Sequence, residues 1–223
     1  MKHQLVTVGT EHGLAVHAAD LLEGWAHAAV QDHGTFSIAL SGGRTPWVVF
    51  AELAHRELPW YAVTIYQVDE RVAPDDDPDR NLTHLRVSFA SLPVTLVPMP
   101  VTTADLQKAA AAYAEELPEQ FDVVHLGLGA DGHTASLVPN DPVLDVDDRL
   151  VAVTNPYQEH RRMTLTYPAL QRAEQLLWLV SGEDKAPALA ALLAGDESIP
   201  ASRVRAGRST IVADEAAAAA FPP

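Results

Sequence analysis

Cysteine is absent from the 223 residues, which excludes a disulfide framework and any zinc site built on thiolates. A reducing compartment suits such a chain. Lysine is scarce, with only Lys2, Lys108 and Lys185. Fifteen Lys and Arg stand against thirty Asp and Glu, a formal net charge of −15, so nucleic acid and anionic membrane surfaces repel the chain as a whole. No apolar run approaches the roughly 20 residues that span a bilayer. The opening segment MKHQLVTVGTEHG lacks the apolar core of an export signal. A soluble, cytoplasmic protein with neither nucleic-acid nor membrane partners is expected. Any anionic ligand must be drawn by a local cluster of cations working against the global field.

What is present is a hydrophobic fraction of 48%, ample for one contiguous core, and a length that fits one domain over 1–223. Apolar β-rich runs alternate with helix-like stretches. Strands are expected at 4–9, 35–41, 62–69, 94–99, 121–129, 150–154, 163–166, 175–181 and 209–213. Helices are expected at 11–34, from Pro46 towards Glu57, from Asn81, at 102–117 with Thr102 or Thr103 as cap, and at 184–194. Pro139 and Pro142 leave room for only a short helix after Gly132, and the tail DEAAAAAF reads as a terminal helical turn or two. Such alternation implies an α/β fold, a mostly parallel sheet with helices on both faces. Ligands then bind at the carboxyl ends of strands.

Four strand-end motifs follow. In SGGRTP, Ser41 to Pro46, glycines let backbone N–H groups converge at a helix start, and Ser41, Arg44 and Thr45 add donors. This is either a phosphate cradle or an ordinary βα turn, and it is no triphosphate loop. QVDERV places Asp69, Glu70 and Arg71 at a strand end. An acid beside a cation there suits substrate-hydroxyl binding or proton transfer, but taken alone the motif reads more readily as a solvated charge run. GLGADGHTASLVP matches GxGxxG at Gly127, Gly129 and Gly132, but the prolines cut the following helix too short for a dinucleotide site. It leaves His133 two residues after Asp131, a side chain able to exchange protons near neutral pH with a carboxylate to orient it. The other histidines read as surface or structural. A metal reading of His133, Asp131 and Asp69 lacks a short ligand spacing. Late in the chain come Arg161, Arg162 and Lys185. Lys185 near a helix start is electrostatically awkward unless an anion sits there or it pairs with Glu183 or Asp184.

In order along residues 39–189, LSGGRTP, VDERVAP with Asn81 downstream, GLGADGHTASLVP, RRMTLTYPAL and SGEDKAPAL together resemble the 6-phosphogluconolactonase branch of the glucosamine-6-phosphate isomerase/lactonase superfamily. The resemblance implies a modified Rossmann-like fold and hydrolysis of 6-phospho-D-glucono-1,5-lactone to 6-phosphogluconate in the oxidative pentose phosphate pathway, by a monomer or small homo-oligomer without cofactor or metal. By motif, His133 would be the general base, Asp131 its support, and Asp69 and Arg71 contacts to the sugar acid. Ser41, Gly42, Gly43, Arg44, Thr45, Arg162 and Lys185 would form the phosphate and substrate shell. The sister deaminases resemble DGHTASLVP with DGHIAFNEP, supplying a carboxylate where Val138 stands here, and tend to DEY where this chain has DER. A non-catalytic sugar-phosphate sensor is the alternative from another class.

Overall fold

The computed structural model describes residues 2–221. Helix α1 (Glu11–His33) begins at Thr10, whose side chain accepts from Gly13 N, and stops at Gly34. Its buried residues Leu14, Ala15, Ala18, Ala19, Leu22 and Ala26 recur at the three-to-four spacing of one helix face. The strands are β1 (Gln4–Val8), β2 (Phe36–Leu40), β3 (Val63–Gln67), β5 (Thr95–Val97), β6 (Phe121–Gly127), β9 (Ala173–Val180) and β10 (Arg208–Asp214). They form one parallel sheet in the order β1-β10-β9-β6-β2-β3-β5.

Strand alternation splits the apolar residues between two cores. Ile38, Leu40, Ile65, Val123 and Leu177 join the core that α1, α2 (Arg44–Leu53) and α3 (Asn81–Phe89) complete. Ala39, Tyr66, Val124, Leu126 and Trp178 join the other, completed by α4 (Leu106–Glu115) and α6 (Ala186–Ala194). Each fully buried Leu or Phe contributes about 1.5–3 kcal/mol, so both faces of the sheet must be covered.

A second sheet lies on the α4/α6 side. It is antiparallel, in the order β4 (Asp69–Arg71), β8 (Arg162–Leu165), β7 (Val151–Val153). The sequence reading ran one strand through 62–69, but the chain leaves the parallel sheet after Gln67 and β4 pairs elsewhere. Val68, fully buried, joins the two sheets: its N–H donates to Leu40 O (3.0 Å) and its carbonyl accepts from Leu165 N (2.8 Å).

Three local expectations are corrected. Asp105, not Thr102 or Thr103, caps α4 by accepting from Lys108 N, because a carboxylate closer to the first turn reaches the free amide. Residues 133–141 form no α-helix; a bridge between Thr134 and Leu137 closes them, and Asp141 caps a 3₁₀ turn over Pro142–Asp145. Residues 183–194 are a 3₁₀ turn (Glu183–Lys185) followed by α6 rather than one helix. The tail after β10 makes the short turn expected, with Ala218 N donating to Asp214 O (2.9 Å) and Asp214 Oδ1 accepting from Ala217 N (2.8 Å). A short helix α5 (Tyr167–Leu170) was not expected at all.

Candidate active site

Strand order reverses between β2 and β6: the chain builds outward through β3 and β5, then returns to lay β6, β9 and β10 on the other side. The crevice opens at such a switch point, beyond the carboxyl ends of the strands. A cleft of about 420 Å³ lies there. It gathers Ser41, Gly42, Gly43, Arg44 and Thr45 from the β2–α2 turn, Asp69 and Arg71 from β4, and Asn81 from α3. His133 reaches it from the loop after β6, Arg162 from β8, and Ser181 and Lys185 from the turn after β9. All the residues given a site role by the resemblance line this one cleft except Asp131, which stands behind His133; Glu70 and Arg161 do not line it.

Asp131 Oδ1 accepts from His133 Nδ1 at 2.5 Å and from the His133 backbone N–H at 3.1 Å. Its other oxygen accepts from Tyr157 OH (3.3 Å). Burial works to raise the Asp131 pKa, but the charge of His133 and these hydrogen bonds outweigh it and hold the carboxyl below its usual range. A carboxylate can only accept, so Nδ1 carries a proton, and in the neutral ring Nε2 is the nitrogen with the free lone pair. Gly129 makes room for this pair. A β-carbon there would lie 2.1 Å from His133 Nδ1 and 2.6 Å from Asp131 Oδ1.

The acid–cation wall rests on Glu70. The sequence read this segment as solvated charge, yet Glu70 is fully buried and Asp69 nearly so. Glu70 Oε1 accepts from Arg71 N and Asn81 N, and Oε2 from Gln67 Nε2 and Leu82 N, all within 2.9 Å. Arg80, also buried, lies 3.2 Å from Oε2 through Nε. The carboxylate therefore satisfies the free amides at the start of α3, which has no cap of its own. This fixes Asn81, whose Nδ2 donates to Asp69 O and whose Oδ1 accepts from Arg71 Nη1 (both 2.9 Å). Asn81 leaves no room at residue 42, where a β-carbon would lie 1.8 Å from its Oδ1. Ser136 Oγ donates to Asp69 at 2.6 Å.

Arg71 and Arg162 are direct cross-strand partners in the β4–β8 pairing, a like-charge placement that costs stability when nothing lies between. The Nε atoms of both are buried and find no hydrogen-bond partner among the described residues. Burial lowers the pKa of Arg162, and Asp69 works in the opposite direction. At the other end, Ser41 Oγ is likewise buried without a partner, while Ser41 N donates to the buried His125 Nδ1 (3.2 Å). Desolvation pushes His125 down to about 3, so it accepts as a neutral ring. Arg44 is largely exposed and 3.9 Å from Glu11. Lys185 pairs with Asp184 (2.9 Å), the alternative that its sequence position had left open. Asp184 is held below its usual range by its hydrogen bond with Lys185 first and by Lys185 and Arg44 charge thereafter. The cations thus fall into two groups, Arg44 with Lys185 and Arg71 with Arg162.

The sequence profile of the glucosamine-6-phosphate isomerases/6-phosphogluconolactonase family matches residues 9–213. The chain belongs to that family. It is 38% identical over 180 residues to the 6-phosphogluconolactonase of Synechocystis, covering 74% of this chain and 75% of that one. The 6-phosphogluconolactonase of Mycobacterium tuberculosis is 35% identical over 233 residues, 94% of each chain. Among solved structures, that of 6-phosphogluconolactonase from Trypanosoma brucei superposes with a TM-score of 0.90 at 26% identity, covering 99% of both chains. The Rossmann-like α/β fold expected from the motifs is therefore the family's.

Sequence reasoning missed Tyr157, Ser136 and His125, and did not foresee that Glu70 and Asn81 brace the wall from inside. Only Glu70 carried a signal, a carboxylate two residues past an apolar run with an asparagine-led helix downstream. Among the described residues no three His, Asp or Glu side chains are grouped to hold a metal ion, so His133, Asp131 and Asp69 do not form such a cluster. No described helix is long and apolar enough to cross a membrane.

Proposed function

We propose that the cleft hydrolyses 6-phosphogluconolactone, the substrate for which its relatives are named. The observation that carries this reading is the Asp131–His133 pair opening on a cleft that also holds a glycine turn, Arg44, Lys185, and Arg71 and Arg162 with unpartnered Nε atoms. A δ-lactone is an activated ester. Its hydrolysis needs a deprotonated water, a stabilised oxyanion and a protonated leaving oxygen. His133 Nε2 takes a proton from water as the oxygen attacks the carbonyl carbon, and Asp131 stabilises the imidazolium. The oxyanion develops against Arg71, Arg162 or backbone donors of the glycine turns, an effect worth about 3–4 kcal/mol in other acyl transfers. When the tetrahedral intermediate collapses, the ring C–O bond breaks and His133 returns the proton to the ring oxygen. Water is consumed and one carboxylic acid is formed.

The phosphate is assigned to Arg44, Lys185 and the Ser41–Thr45 turn, where the buried Ser41 hydroxyl awaits an acceptor. Arg71, Arg162 and Asp69 take the sugar acid. Val138, where the sister deaminases carry a carboxylate, is buried and apolar. The cysteine-free composition agrees with a reaction in the cytoplasm.

The test is hydrolysis of 6-phosphogluconolactone by purified protein, with spontaneous hydrolysis subtracted, alongside His133→Ala. We expect catalysis by the native chain and a kcat lowered about 10²–10⁴-fold in the variant. Binding without turnover by the native chain would make it a sensor. A variant with native kcat would remove His133 as the base.

A further inference from the structure

We propose that Tyr157, at the tip of the β7–β8 hairpin, is a positioning residue that sets the orientation of the Asp131–His133 pair and ties it to Arg162. The proposal rests on the reading of His133 as the base. Tyr157 N donates to His160 O (2.8 Å), and the two residues between them, Gln158 at φ 49° and Glu159 at φ 71°, are both left-handed. A two-residue turn with two positive φ values matches the twist of a hairpin and is normally built from Asn and Gly. Here it is made of longer side chains and is held from outside. Gln158 Oε1 accepts from Arg162 Nη2 (3.3 Å), and His160 Nε2 lies 3.2 Å from Asp79.

That tight tip aims Tyr157 back across the cleft mouth. Its hydroxyl donates to Asp131 Oδ2 (3.3 Å) and accepts from Gln158 Nε2 (3.4 Å). Its ring meets the His133 imidazole edge to face, with centroids 5.5 Å apart, and carries the Arg162 guanidinium 5.3 Å from its centre. The titratable and charged groups facing it are therefore Asp131, His133 and Arg162. Burial, followed by the Asp131 charge, raises the Tyr157 pKa, so the phenol stays a donor across the working range. The proton of this hydroxyl is committed to Asp131, and Tyr157 is not among the residues that line the cleft. Its effect passes through Asp131: with Oδ2 anchored, Oδ1 is fixed on Nδ1, and Nε2 points where the water must sit. The cation–π contact similarly restrains Arg162.

Tyr157→Phe removes the hydroxyl and keeps the ring, and Tyr157→Ala removes both. Each is assayed on 6-phosphogluconolactone across pH, beside His133→Ala and with thermal melting as a folding control. Tyr157→Phe should lower kcat about three- to tenfold with KM nearly unchanged. Its acid limb of kcat/KM should move to higher pH. An Asp131 carboxylate relieved of one donor favours the imidazolium more, so the base stays protonated further up the scale. Tyr157→Ala should lose more in kcat and also raise KM, because Arg162 loses its restraint. If it fails to fold, Tyr157→Phe alone decides. Native kcat and an unmoved acid limb in Tyr157→Phe, with His133→Ala inactive, would overturn the role of Tyr157 and leave the lactonase reading standing. Native kcat in His133→Ala would instead remove the base, and the role of Tyr157 with it.

Discussion

Gly129 and His133 are in such close register that a β-carbon on the first would fall 2.1 Å from Nδ1 of the second. The nitrogen it would displace is the one bound to Asp131. A methyl group at 129 must therefore push the imidazole out of line, and displacement of about 1 Å costs on the order of 10²-fold in rate. We predict that Gly129→Ala lowers kcat at least about 100-fold while its melting temperature stays within about 3 °C of the native chain. Steady-state kinetics with differential scanning calorimetry checks both. Native turnover in Gly129→Ala would show that the pair tolerates displacement.

Lys185 tests the phosphate assignment. A phosphate held away from the lactone carbonyl is bound equally in ground and transition states, so its loss appears in KM rather than kcat. Lys185→Ala should raise KM for 6-phosphogluconolactone at least about tenfold, or about 1.4 kcal/mol. Its effect on unphosphorylated gluconolactone should be much smaller. Both substrates are compared at one ionic strength, because exposed charges are screened by salt. Equal losses on the two would move the phosphate to Arg44 or Arg162.

Glu70 carries a structural prediction. Neutralising it leaves buried Arg80 without its 3.2 Å partner and turns an amide NH₂ towards donors that now meet an acceptor. Breaking a buried pair from one side costs about 3–5 kcal/mol. Glu70→Gln should lose at least about 3 kcal/mol, or roughly 6–12 °C in melting temperature. A melting curve that overlays the native one would mean that water or rearrangement replaces the carboxylate.

His125 predicts part of the acid sensitivity. Its folded pKa is near 3, whereas an unfolded histidine titrates near 6.5. Below about pH 6.5 the unfolded chain takes up a proton that the folded chain refuses. Stability from this residue is complete above pH 6.5 and falls with pH until the folded ring also protonates near 3. At pH 5 the loss is about 2 kcal/mol. His125→Leu should be less stable at neutral pH, having lost the acceptor for Ser41 N. Its decline between pH 7 and pH 5 should be smaller than the native one by about 2 kcal/mol, measured by urea unfolding. Parallel declines would place the proton uptake elsewhere.

The parallel sheet was legible because its strands are apolar runs buried on both faces, such as FDVVHLG and AEQLLWLV. Their carboxyl ends then pointed to the Ser41–Thr45 turn, the His133 loop and the turn bearing Lys185, whereas Arg162 starts a strand of the other sheet. Of the second sheet, the strands Val151–Val153 and Arg162–Leu165 were legible as the runs expected at 150–154 and 163–166, but their antiparallel pairing was not. Asp69–Arg71 is too short to show as a strand of its own, and pairing Asp69 with Thr164 joins segments far apart in the chain. Tyr157 was hidden for the same reason, since only the hairpin's return brings it to Asp131, 26 residues earlier. Burial of Glu70 could not be read from a charged tripeptide, because three of its five partners, Arg80, Asn81 and Leu82, come from a separate segment beyond the acidic loop.

Val68 has a consequence for how the molecule opens. It is the crossing point of two ladders, with its amide committed to Leu40 in one sheet and its carbonyl to Leu165 in the other. Neither ladder can fray past this residue without pulling on its neighbour. The wall bearing Asp69, Arg71 and Arg162 and the wall bearing the Ser41 turn therefore detach together or not at all, as one cooperative unit. In native-state deuterium labelling, the amides of Val68 and Leu165 should exchange by global unfolding rather than by local breathing. The walls of this cleft would then keep their spacing for as long as the protein stays folded.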